Sequence, residues 1–290
     1  MSNPLFVIQS PQAYDYTAFF DLAVSKVSPS ANGLDVLVTS AIENSTQLNI
    51  LLSAIYTQIR AKLVALKFPY TFPIDVYVNR VPKTVAHNTP VFHLDGETVP
   101  EELPNMNLIS LKVDILPLAH EKHDPSSIRF LSVHTSAVGG TFDHLHDGHK
   151  ILLSMTAFAA RERIIIGVTG PELLQNKKYA SVIQPLDVRV KNACKFLQKI
   201  MYPGQMYEVY EMKDVCGPTA FLPDIDALIV SEETFKGGNY VNDRRAERGF
   251  PVLSIVCAKV IGGNGSSSNN WEGKLSSTEL RKLEYESSNH

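Results

Sequence analysis

The sequence predicts an α/β protein of two domains, a smaller α/β unit over residues 1–125 and a larger one over residues 126–290 built on a parallel sheet. Three observations predict it. At 290 residues the chain exceeds one average domain. Short β-rich apolar runs alternate with stretches of helical periodicity in both halves. Between the halves, the polar, proline-containing stretch His120–Ser127 (HEKHDPSS) reads as a linker.

In the first half, Leu5–Gln9, Leu34–Thr39 and Ile74–Asn79 read as strands. Asn44–Lys67 repeats Leu48, Leu51, Leu52, Ile55, Ile59 and Leu63 on one helical face, and Asn44 and Ser45 supply its N-cap chemistry. That assigns Asn44-Ser45-Thr46 to a helix start rather than to a glycan acceptor. His87, His93, His120 and His123 are scattered, read as surface or turn residues, and form no catalytic constellation.

The second half opens with a strand, Phe130–Val138, that runs into a glycine pair. A helix over Gly148–Arg161, a continuously apolar strand Ile164–Thr169 and a helix over Pro185–Met201 follow. Next come strands Met206–Met212 and Ala227–Ser231, a helix over Tyr240–Arg248 and a strand over Pro251–Val260. This alternation implies a parallel sheet with helices on both faces and ligands at the carboxyl ends of its strands. Gly262–Asn270 (GGNGSSSNN) is low in complexity and reads as a loop just before Lys274–Arg281. No internal repeat is visible.

Composition narrows the class. Hydrophobic residues at 44% and charged residues at 20% suit a core-burying protein, and a net charge of −3 excludes a general affinity for nucleic acid or anionic membrane. Cys194, Cys216 and Cys257 are odd in number and far apart, which argues against a zinc site or disulfide framework and suits a reducing compartment. The segment MSNPLFVIQS lacks the basic flank and apolar core of a signal peptide, and no run reaches the roughly 20 apolar residues of a membrane span. A soluble, cytoplasmic protein is expected, with the nucleus as an open second location.

The strongest local signal is Gly139–His149, GGTFDHLHDGH, between a strand and a helix. Glycines admit close backbone approach, and the free amides of a helix start favour anions. His146 and His149, three apart at the helix mouth with Gly148 between them, can face one phosphate. Near the other end, Ser276 sits as an N-cap with Glu279 three residues on, a capping box at a second helix start. Gly273-Lys274 is not a Walker A motif, since Ser268 and Leu275 stand where that motif needs other residues.

The first segment resembles the GTFDxxHxGH signature of the HxGH nucleotidyltransferases, and Lys274–Arg281 (KLSSTELR) is similar to their ISSTxxR element. The resemblance covers about residues 132–283. It implies a Rossmann-like catalytic domain that transfers a nucleotidyl group with loss of pyrophosphate. Glu172–Lys178, Leu186–Arg189, Val230–Thr234 with Gly237-Gly238, and Asp214–Thr219 are further similar to the eukaryotic, fungal-type phosphopantetheine adenylyltransferases. KLSST in place of the arginine-containing GISTT of cytidylyltransferases points away from CTP. With no P-loop and few residues after Arg281, a monofunctional enzyme is implied.

The resemblance implies nucleotide contacts by Gly139, Gly140, Thr141, Phe142, His146, His149, Ser276, Ser277 and Thr278. It implies chemistry by Thr141, His149 and a lysine of the Lys177–Lys178 pair, either of which fits. Substrate phosphate contacts fall to Lys177, Lys178, Arg189 and Arg244, with a solvated face as the other reading of Arg244, Arg245 and Arg248. The implied partners are ATP with Mg²⁺, 4′-phosphopantetheine, dephospho-coenzyme A or coenzyme A, and other enzymes of coenzyme A synthesis. Asp143 reads as a turn-stabilising Asx residue rather than a water-mediated Mg²⁺ contact. Three alternatives stay open: a nicotinamide mononucleotide adenylyltransferase, a CTP-dependent enzyme, and an inactive nucleotide-binding scaffold.

Overall fold

The computed structural model describes residues 3–83, 85–103, 106–118, 132–259 and 276–288. The expected linker at His120–Ser127, the loop at Gly262–Asn270, and Lys274 and Leu275 lie outside them. Two compact units divide the chain, Met1–Phe130 and Leu131–His290.

In the first unit, strands β1 (Leu5–Ile8), β3 (Leu34–Val38), β4 (Ile74–Val78), β5 (Pro90–Leu94) and β6 (Asn107–Leu111) form a parallel sheet in the order β4-β3-β1-β5-β6. Helix α1 (Thr17–Ser25) connects β1 to β3, and α2 (Ser45–Ala65) connects β3 to β4. A two-residue pair, β2 (Tyr14–Asp15) with β7 (Leu116–Pro117), is antiparallel. The helix expected over Asn44–Lys67 forms as α2, capped by Asn44, whose side chain accepts from the Gln47 amide. Its apolar face is buried, and each fully buried Leu or Ile stabilises by about 1.5–3 kcal/mol.

Five elements of this unit gave no clear signal. α1 spans nine residues but buries Phe19, Phe20, Ala23 and Val24 against an aromatic cluster with Phe6 and Tyr16. β5, which carries His93, is followed by edge strand β6, most of whose residues are exposed, so the alternation that betrays a half-buried strand is weak there. β2 and β7 are too short to show any period.

In the second unit, β8 (Val133–Gly140), β9 (Ala160–Thr169), β10 (Met206–Met212), β11 (Ala227–Ser231) and β12 (Ser254–Ala258) form a second parallel sheet, β10-β9-β8-β11-β12. Helices α3 (Asp147–Ala159), α4 (Leu186–Ile200) and α5 (Phe235–Glu247) connect strands, and α6 (Ser277–Ser288) comes last. Alternation along β8 sends Ser136 toward α3, where its hydroxyl donates to the Thr156 carbonyl. Ala137 points the other way, into a core with Leu228, Val230 and Val241 of α5. Helices therefore cover both faces.

Two boundaries differ from expectation. β9 starts at Ala160, directly after α3, so the chain turns without a loop where the helix was expected to reach Arg161. α5 starts at Phe235, not Tyr240. Gly237 and Gly238 sit inside it, because a Cβ on Gly238 would meet Ile255 at 3.1 Å and the glycine lets the helix lie close on β12.

Candidate active site

β8 is the central strand of its sheet, so its carboxyl end faces the crevice where the strand order reverses. Gly139 pairs with Gly167 of β9 there. A Cβ on Gly139 would meet the Met212 sulfur at 3.2 Å, and one on Gly140 would meet the Phe142 ring at 3.2 Å. A side chain at either glycine would crowd the strand end. The turn that follows holds Phe142 at φ 51° and His144 at φ 45°, a left-handed conformation that costs about 1–3 kcal/mol per residue. The buried Phe142 ring packs on His149 with centroids 5.3 Å apart.

His146 is the N-cap of α3 and makes no side-chain capping bond. Its ring stacks on that of His149 at 3.8 Å, as their spacing of three requires. The Nδ1 atoms of both rings are buried without a hydrogen-bond partner. The Ser277 hydroxyl donates to the Asp143 carbonyl at 3.0 Å and lies 3.2 Å from His146 Nε2. Because that hydroxyl has one proton, it accepts from His146 Nε2–H, which leaves the lone pair of a neutral His146 on Nδ1.

Burial pushes the His146 pKa down to about 4, against a smaller upward pull from Asp147 and Asp143. His149 is held well below the usual histidine value by burial first, then by His146 and Lys177. Both rings are neutral at pH 7. An anion beside them would reverse the shift by favouring the charged forms.

The start of α6 is bound to this turn. Ser276 Oγ accepts from the Glu279 amide at 3.2 Å, capping the helix. Arg281, 2% exposed, donates to Asp143 Oδ2 at 2.8 Å, to the Lys178 carbonyl at 3.0 Å and to Thr278 Oγ1 at 3.1 Å. The other Asp143 oxygen accepts from the Gln184 amide at 2.9 Å. Asp143 is thus a structural tie between distant segments, where a local Asx turn was expected. Its two oxygens are occupied, and among the described residues no three His, Cys, Asp or Glu come together as a metal site.

A cavity of about 310 Å³ opens beside the strand ends. Gly139, Gly140, Thr141 and Lys177 line it, with Gly167, Thr169, Met212, Pro218, Thr219, Leu228, Val230, Thr234, Gly237 and Gly238. Thr169 Oγ1 is buried there and unpartnered.

Of the lysine pair, Lys177 lines the cavity, whereas Lys178 gives its carbonyl to Arg281. Two arginines depart from expectation. Arg189 is 1% exposed and donates to the carbonyls of Gln184, Thr141 and Thr169 at 2.8–2.9 Å. Its Nε and Nη1 donors hold the backbone around the strand ends, a structural tie in addition to any contact with substrate. Arg244 is on the surface, bonded to Tyr240 and Glu247, and does not line the cavity. Nor is the helix face around it simply solvated: Arg245 is fully buried in a cage of carbonyls from Pro251, Thr219, Leu222 and Pro223. Arginine direction is set by tertiary carbonyls that sequence does not display.

Sequence reasoning missed Gly167, Thr169 and Met212. Gly167 was visible as a glycine inside an apolar strand, a mark of close backbone approach. Cys194, Cys216 and Cys257 are free thiols. No helix among the described residues is long and apolar enough to cross a membrane.

Known proteins match this sequence. A family model described as cytidylyltransferase-like matches residues 137–282, just over half of the chain. A phosphopantetheine adenylyltransferase of Saccharomyces cerevisiae is 47% identical over 150 residues, 52% of this chain and 48% of that protein. An uncharacterized protein of Schizosaccharomyces pombe is 36% identical over 219 residues, 73% of this chain and 66% of its own length. A phosphopantetheine adenylyltransferase of Thermococcus kodakarensis is 40% identical over 124 residues, 43% of this chain and 73% of that one. The chain thus spans about half the length of the yeast relative. From the matched motif, the sheet and the paired histidines together, the chain belongs to the cytidylyltransferase-like family.

Proposed function

We propose that the second unit, as the catalytic domain expected over residues 126–290, transfers the adenylyl group of ATP to 4′-phosphopantetheine. The products are dephospho-coenzyme A and pyrophosphate. The observation that carries this reading is the stacked His146–His149 pair, with buried, unpartnered Nδ1 atoms, at the mouth of α3. Once protonated, which an adjacent anion favours, these nitrogens can donate to phosphate oxygens, and the names of the yeast and archaeal relatives supply the substrate. The mainly apolar cavity, with Thr141, Thr169 and Lys177 as polar points, suits a long neutral arm ending in phosphate.

The nucleophile is a phosphate monoester oxygen. With a second pKa of about 6 it is already largely dianionic and needs no general base. It forms a bond to the α-phosphorus of ATP as the bond to the bridging oxygen breaks, and pyrophosphate leaves with that electron pair. The residues align two polyanions and neutralise growing charge. Lys177 brings a cation, Thr141 and His149 bring donors, and the Ser276–Thr278 start of α6 brings a hydroxyl and free amides. Mg²⁺ enters as part of the substrate, bound to the triphosphate. A cytoplasmic place of action, extending to the nucleus, and association with other coenzyme A enzymes belong to the same reading.

The test is pyrophosphate release with three substrate pairs: 4′-phosphopantetheine with ATP, nicotinamide mononucleotide with ATP, and ethanolamine phosphate with CTP. Turnover with the first pair alone is expected. Turnover with another pair instead reassigns the substrate, and ATP binding with no turnover favours a scaffold.

A further inference from the structure

The first unit repeats the topology of the second. β1, α1, β3, α2, β4, β5 and β6 follow one another as β8, α3, β9, α4, β10, β11 and β12 do, with the same strand order. The two helix mouths differ. The N-cap of α1 is Tyr16, where α3 has His146. The Tyr16 hydroxyl accepts from the Ser10 amide at 3.0 Å and donates to Glu97 Oε1, so the protein's own groups close that mouth.

Another part of the rim is not closed. Ser40 Oγ, Arg80 Nη1 and Glu97 Oε2 are buried without a hydrogen-bond partner. They follow the carboxyl ends of β3, β4 and β5, where open α/β sheets bind ligands. In the second unit, His146 Nδ1, His149 Nδ1 and Thr169 Oγ1 mark the candidate site in the same way. An orphaned buried polar group costs about 1–3 kcal/mol, so three at one sheet edge need an explanation.

Register brings two of them together. Val38 pairs with Val78 at the end of the β3–β4 ladder. The Asn79 amide then donates to the Val38 carbonyl at 2.8 Å, and its side chain donates to the Ser40 carbonyl at 2.9 Å. Ser40 and Arg80 each lie two residues past the paired valines, and the Asn79 side chain, next in sequence to Arg80, joins the two loops through the Ser40 carbonyl. A guanidinium fork beside a hydroxyl is a donor set for phosphate.

We propose that the first unit binds a small phosphorylated molecule, with its phosphate on Ser40 and Arg80. Arg80 and Glu97 follow β4 and β5, whose ends lie three strand spacings apart in the sheet, roughly 14 Å. The free Glu97 oxygen takes a hydroxyl or amino donor elsewhere on a ligand of nucleotide length. The site is separate from the histidine pair and stands whether or not adenylyl transfer is the reaction.

Arg80 is the reporter. The full chain is treated with phenylglyoxal, an arginine reagent, with and without inorganic phosphate or AMP, and modification at Arg80 is read by peptide mass mapping. A probe at ten times its dissociation constant leaves about one site in eleven free, so modification slows about elevenfold. Protection is expected to persist in His149→Ala and to weaken in Ser40→Ala. AMP acting at lower concentration than phosphate identifies a nucleotide-like ligand, and equal action identifies phosphate alone. Equal rates with and without both probes, including no reaction in any arm, overturn the proposal. So does protection that vanishes in His149→Ala or is unchanged in Ser40→Ala.

Discussion

His149 reaches its neutral state through burial, the neighbouring His146 and the cation of Lys177. A triphosphate laid against it opposes all three influences and raises its proton affinity. Binding of MgATP at pH 6.5 should therefore take up more protons in the wild type than in His149→Ala, measured by calorimetry in two buffers of different ionisation enthalpy. Without a preorganised donor at the phosphate, His149→Ala should lose on the order of 10²–10³ in kcat, with a smaller change in KM for ATP. The same residues tie stability to acid. Folded pKa values below the unfolded value of about 6.5 contribute stability that is present above that pH. For His146 it is lost as pH falls from about 6.5 toward about 4. Urea titrations at pH 7 and pH 5 should show this loss, and a smaller one in His146→Ala. The histidine pair was legible because its geometry is local, three residues on one helix. Arg189 was not, since the Thr141 and Thr169 carbonyls that claim it come from tertiary structure, whereas the Tyr240 and Glu247 partners of Arg244 stand at i−4 and i+3 on one helix and could have been read.

At the level of elements, the Asp143–Arg281 pair joins a turn after β8 to the first turns of α6, and both side chains are buried. Removing one member of such a pair leaves an uncompensated charge and costs about 3–5 kcal/mol. Arg281→Ala should therefore lower the melting temperature and raise KM for ATP, because Ser277 loses its fixed place against His146. Arg281→Lys should restore part of each, since a lysine keeps the charge but not the forked contacts to Lys178 and Thr278. Long periodic elements such as α2 and the buried strands were readable from hydrophobic spacing. The start of α5 was not, because Gly237-Gly238 looks like a breaker until β12 beneath it is known.

At the scale of the whole molecule, each unit has its own buried cluster, one around Leu5, Leu37 and Val91, the other around Ala137, Ile165 and Leu228. Two cores predict two calorimetric unfolding transitions. MgATP at 100 times its dissociation constant should stabilise one of them by about 2.7 kcal/mol and leave the other in place. A single transition that moves as a whole would contradict this. The sequence displays no repeat, yet both sheets have one strand order. Strand order follows from the handedness of crossovers and the burial of apolar faces, which many residue sets satisfy. A match of identities is not needed for a match of paths.

One sulfur atom carries a cost that none of these tests touches. Met212 lies against three glycines: an added Cβ would meet its side chain at 3.2 Å on Gly139, 2.9 Å on Gly167 and 2.7 Å on Gly217. Met212 also lines the cavity, where a small oxidant can reach its thioether. Conversion to the sulfoxide would add a polar oxygen at these tightly packed strand ends. Peroxide should therefore inactivate the protein in step with Met212 oxidation, and Met212→Leu, a swap of similar volume, should resist it. With that outcome, the side chain that lets the strands close around the cavity would also be the point at which an oxidant disables the molecule.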